Sequence, residues 1–174
     1  MTWHGGTLTV STTRHKMPDG TMYCPASELR SAIRKLRNGN PLTFNEEYTI
    51  ECLFHENVHS KAYGVLRHEA GSLNEIIQEV CTQLYAREKY TAILDAYGVE
   101  SANHELIRYG GYGYRRQCDI LRGIFTKDGV LQLGELKGIA NQNVEGLELL
   151  KILCEKRGYD FKKICDLLET MISK

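Results

Sequence analysis

The sequence has no apolar run approaching the ~20 residues that a membrane-spanning helix requires. Its first residues, MTWHGGTLTV, lack the charged-then-apolar layout of a secretory signal. These absences predict a cytosolic chain with no membrane partner. The initiator Met stands only a few residues before a strand-like run, which is compatible with a domain of a longer protein. There is no surplus of charge either, since 22 Lys and Arg balance 22 Asp and Glu. That argues against a generally basic surface for nucleic acid, while leaving room for a local basic patch. The six cysteines, Cys24, Cys52, Cys81, Cys118, Cys154 and Cys165, include no CxxC pair. A cysteine-rich structural zinc site is therefore not expected, and free thiols in a reducing compartment are. Neither an internal repeat nor a low-complexity segment occurs.

A chain of 174 residues can bury one proper core. Residues 7–10 (TLTV) and about 21–24 (TMYC) read as short strands, and Pro18-Asp19-Gly20 supplies turn chemistry between them, so one small hairpin is expected. A helix is predicted from Pro25 to Arg37, ending at Asn38-Gly39-Asn40-Pro41. A second is predicted from Thr43 to about Tyr63, because Thr43-Phe44-Asn45-Glu46 has capping-box spacing. A third runs from Leu73 to Tyr97. Further helical patterns cover about 102–109, 114–125, 130–140, 143–157 and 160–172. The expected fold class is α+β and mostly helical: one domain, with a small N-terminal sheet, a core at about 43–97 and a helical part from 102 to the end.

The second helix carries the most informative pattern. Tyr48, Cys52, His55, His59 and Ala62 share one face, and Ile50, Leu53, Phe54 and Val58 cover much of the rest. A helix apolar on most sides is buried, so polar groups in its middle need a reason. Leu53-Phe54-His55-Glu56-Asn57-Val58-His59 contains H-E-x-x-H. Residues four apart stack on one helical face, which lets both imidazoles reach one ion. Glu56 lies about 100° round the helix and can serve as base towards a zinc-bound water without displacing a ligand. A third ligand would come from elsewhere, and Leu73-Asn74-Glu75-Ile76-Ile77-Gln78-Glu79 offers two acids one turn apart.

On these motifs, residues 43–90 resemble the gluzincin metallopeptidases, the thermolysin-like zincins, in which H-E-x-x-H is followed by a helix bearing N-E-x-x-x-D. The resemblance implies Zn2+ as cofactor, His55, His59 and Glu75 as its ligands, Glu56 as catalytic base and a peptide or protein as substrate. It puts Glu79 in the second shell, holding an imidazole N–H. Two departures stand out: the final acid is Glu instead of Asp, and the interval after His59 is shorter than in the family. Counting strictly by the family's interval makes Glu79 the alternative third ligand. Ser72-Leu73-Asn74-Glu75 also has capping-box spacing, which would tie Glu75 to the helix start. A small sheet with two metal-binding helices further resembles compact gluzincin-like domains of phage and mobile-element proteins.

Tyr63, His68, Tyr109, Tyr112 and Tyr114 are candidates for stabilising an oxyanion, and the glycine-rich run from Tyr109 to Tyr114 could equally be a packed interhelical turn. His104-Glu105 lacks a second imidazole, since position 108 is Arg108. Arg115 and Arg116 could meet phosphates, although the neutral net charge makes nucleic acid an unexpected partner. The rival function is a catalytically silent, metallopeptidase-like structural or binding module of a larger assembly. Oligomeric state is not legible in the sequence.

Overall fold

The computed structural model describes residues 1–4, 7–17, 20–62, 71–141 and 145–170. The fold is mostly helical α+β, 67% helical with small two-stranded antiparallel sheets. Strand β1 (Thr2–His4) pairs with β2 (Thr7–Thr9), placing Thr2 opposite Thr9 and His4 opposite Thr7. Strand β3 (His15–Lys16) pairs with β4 (Met22–Tyr23). The single hairpin expected from 7–10 and 21–24 is thus replaced by two. The overlooked signal is the Gly5-Gly6 dipeptide, a two-residue hairpin cue in the sequence itself. Pro18 and Asp19 lie outside the described residues.

Helix α1 (Pro25–Arg37) begins with proline at its first position, where a missing N–H costs nothing, and buries Ala32 and Leu36. Helix α2 (Phe44–Ala62) starts as its capping box dictates. The Glu46 N–H donates to Thr43 Oγ1 (3.3 Å), and the Glu46 carboxylate accepts from the Thr43 N–H (2.7 Å). The third predicted helix is divided into α3 (Leu73–Lys89) and α4 (Thr91–Ala96). At the junction the Ile93 N–H bonds to the Tyr90 carbonyl, a tighter i→i+3 link. Helices α5 (His104–Gly110) and α6 (Arg115–Phe125) follow. A short hairpin, β5 (Thr126–Lys127) with β6 (Val130–Leu131), then precedes α7 (Leu133–Ala140). It takes the residues expected to open a helix at 130. Asp128 and Gly129 both have positive φ (51° and 78°), as an Asp-Gly hairpin turn requires. Helices α8 (Gly146–Arg157) and α9 (Phe161–Thr170) end the described chain.

The chain divides into two compact units, one of residues 1–60 and 86–111, the other of 61–85 and 112–174. Helix α3 contributes to both. In the first unit Leu36, Tyr48, Ile50, Tyr90, Leu94 and Ile107 are buried. Its polar centre is the buried Glu47, whose carboxylate accepts from the hydroxyls of Tyr90 (2.9 Å) and Ser101 (2.6 Å). The Ala102 N–H and the Asn103 amide, both at 3.0 Å, complete its partners. A carboxylate with four donors offsets its desolvation and pins the 101–103 loop to α2.

The second unit is built on Ile77, Val80 and Leu84 of α3, packed with Leu121 and Phe125 of α6, Leu136 and Ile139 of α7, and Leu150 and Leu153 of α8. Asn74 Oδ1 accepts from the Leu147 N–H (3.1 Å), satisfying a donor at the start of α8. No helix among the described residues is long and apolar enough to cross a membrane. All six cysteines are free.

Candidate metal centre

Helix α2 is buried on most sides, as its pattern requires, and it carries His55 (7% exposed) and the half-buried His59. The spacing of four residues brings the two rings edge to face, with centroids 4.6 Å apart. Their Nε2 atoms are 2.9 Å apart. Such a contact needs an N–H on one ring and a lone pair on the other. Two nitrogens on one tetrahedral zinc, each bound at about 2.0–2.1 Å, would stand roughly 3.3 Å apart. Only a few tenths of an ångström separate the rings from that arrangement.

A carboxylate comes from α3. His55, His59 and Glu79 each offer a ligand atom, and these atoms lie within 4.8 Å of one another. Glu79, one of the two acids left open by the sequence, therefore joins the histidines, and Glu75 is not in the group. The reason is local. The Glu75 N–H donates to Ser72 Oγ (3.3 Å), and its carboxylate accepts from the Gly71 N–H, so its side chain serves the start of α3. Glu79, the alternative third ligand of the sequence reading, is thus the acid that could share an ion with the two histidines, and Glu75 lies outside that group. Two imidazoles and one carboxylate suit a divalent metal with a coordination position left for water or substrate.

Glu56 is half-buried on α2, about 100° round the helix from His55. The same helix buries three further acids, Glu46, Glu47 and Glu51. Sequence reasoning gave Glu46 to the capping box and left Glu47 and Glu51 unassigned, although Glu47, Glu51, His55 and His59 recur every four residues and so mark a polar stripe. Burial pushes the Glu51 carboxyl up to about 8, against the opposing pull of the Arg87 guanidinium and the Cys52 thiol. Burial also raises the Cys52 thiol, helped by Glu51. For Glu46 burial acts upward too, but hydrogen bonds from Lys35 (2.7 Å), Ser31 (2.6 Å) and Thr43 outweigh it, leaving its carboxyl below the usual range.

The weaker candidates are dispersed. His104 opens α5, with Nε2 at 3.1 Å from the Arg87 carbonyl oxygen. Tyr109 is exposed and lies under the Arg108 guanidinium, 5.2 Å from carbon to ring centroid. Tyr112 is half-buried, and Tyr114 is an exposed residue of positive φ just before α6. Arg115 and Arg116 are exposed at the start of α6. Tyr63 and His68 lie outside the described residues. Compared with family models, curated proteins and solved structures, the chain matches none.

Proposed function

We propose that the chain is a zinc-dependent metallopeptidase. The observation that carries this reading is the grouping of Glu79 with the paired His55 and His59 of the C-terminal half of α2. Three protein ligands of these types suit a catalytic zinc better than a closed structural site, which takes four. The ion would supply Lewis acidity, lowering the pKa of water and polarising the scissile carbonyl. Glu56, beside a ligand but outside the ligand group, would take the proton of the attacking water and deliver it to the leaving amine. The substrate class is a peptide or protein.

The deciding experiment compares the zinc-loaded chain with Glu56→Gln on a quenched-fluorescence peptide library, with metal content measured in parallel. The reading expects the variant to keep its zinc and lose turnover by at least about 100-fold. Full hydrolysis by Glu56→Gln would overturn the mechanism. Bound zinc with no hydrolysis by the parent would favour the silent binding module instead.

A further inference from the structure

Charge is balanced in the sequence, but residues 1–60 sort it between interior and surface. Among residues 1–60, Glu46, Glu47 and Glu51 are buried, and Glu28 and Glu56 are half-buried. The cations stay outside. Arg14, Lys16, Arg30, Arg34 and Arg37 are exposed, whereas Lys35 is half-buried against Glu46. None of those five exposed cations forms an ion pair among the described residues. Within residues 1–60, the described exposed charges are therefore mainly positive.

The cations are also aligned. Ser27, Arg30, Arg34 and Arg37 follow one another at intervals of three or four on α1, which makes a single stripe. Ala32 and Leu36 face the other way and are buried. At 1.5 Å per residue, the stripe from Arg30 to Arg37 spans about 10 Å. Its N-terminal end opens on a cleft of about 400 Å³ bordered by Thr12, Arg14, Ser27 and Arg30, which adds Arg14 to the cations there.

We propose that this face of α1 binds the phosphate backbone of a nucleic acid. Guanidinium forks stay charged and pair with phosphate oxygens bidentately. A regular row of them suits a regularly charged polymer. An anionic membrane is a poorer partner, because interfacial helices anchor through their apolar face, and that of α1 is spent on the core. Glu28 also borders the cleft, so phosphate is expected on the arginine stripe and not within the cleft. With three or four phosphate contacts, the log of affinity should fall with log salt at a slope of roughly −2 to −4. The inference does not rest on the metal site, so metal-stripped protein should bind equally.

The test is fluorescence anisotropy of a labelled 20-nucleotide oligo-dT and a 20-base-pair duplex, titrated with the full chain at several NaCl concentrations. The triple variant Arg30→Gln, Arg34→Gln, Arg37→Gln should bind at least tenfold more weakly at low salt, with a slope shallower by about 2. Arg30→Lys, Arg34→Lys, Arg37→Lys should keep the slope, and circular dichroism of each variant checks the fold. The proposal is overturned if the glutamine variant matches the parent in affinity and slope. It is equally overturned if the parent ignores both oligonucleotides, or if it prefers a poly-glutamate peptide or phosphatidylserine vesicles through the same arginines.

Discussion

His55 and His59 hold their Nε2 atoms 2.9 Å apart on successive turns of α2. In water two imidazoles gain little from that contact, and a pair with one ring buried and the other half-buried must still shed water. A divalent ion would replace the shared proton and use both lone pairs. We therefore expect the chain to bind one zinc per molecule, and His55→Ala or His59→Ala each to weaken it by more than about 100-fold, beyond the usual effect of an outer-shell change. Cobalt substitution provides the check. A tetrahedral visible spectrum in the parent that persists in either alanine variant would refute the assignment.

The two acids of α3 should behave differently. Glu79→Ala should lose the metal, because the proposed reading takes the Glu79 carboxylate as the third ligand. Glu75→Ala should keep it and instead lose stability by about 0.5–2 kcal/mol, the usual cost of a broken helix cap. Metal analysis and thermal unfolding of both variants separate the roles. Zinc lost from Glu75→Ala alone would reverse them.

Glu46 and Glu51, five residues apart on α2, should give stability opposite dependences on pH. The folded-state carboxyl of Glu46 lies below its unfolded value. Its contribution is therefore present above the unfolded pKa and is lost as pH falls through the folded one. Glu46→Gln should flatten the acid limb of the stability curve. Glu51 is raised to about 8, first by burial. Between its unfolded value near 4.3 and that point the folded state holds the extra proton, so stability falls as pH rises, then levels off. Glu51→Gln should remove this decline. Urea denaturation of the metal-free chain from pH 3 to 9 measures both effects, and an unchanged slope in either variant would contradict the corresponding assignment.

The sequence disclosed local features well and the pairing of distant ones poorly. Pro25 and the Thr43–Glu46 capping box set the starts of α1 and α2, because these signals act within one turn. The H-E-x-x-H spacing placed His55 and His59 together for the same reason. Helix spacing alone cannot choose between Glu75 and Glu79 as a ligand, because that is a tertiary question. Glu47 and Glu51 were missed because a glutamate's helix propensity is the same inside or outside. Only partners such as Tyr90 and Arg87, some 40 residues away, make their burial tolerable.

The packing of α8 on α3 yields a prediction about the second unit alone. A Cβ added to Gly146 would meet Ile77 Cγ2 at 2.9 Å and Ile139 Cγ2 at 3.1 Å. Neither methyl lies at the end of a flexible side chain, and both belong to the close-packed core. Gly146→Ala should therefore destabilise the chain by about 1–3 kcal/mol despite alanine's better helix propensity. Ile77→Ala removes one of the two methyls at a cost of about 2–5 kcal/mol for the cavity it opens. The double variant should be less destabilised than the sum of the two, by at least about 0.5 kcal/mol, because the new methyl enters the vacated space. Denaturant unfolding of the four proteins closes the cycle. Strict additivity would mean that Gly146 is not required by the approach of Ile77.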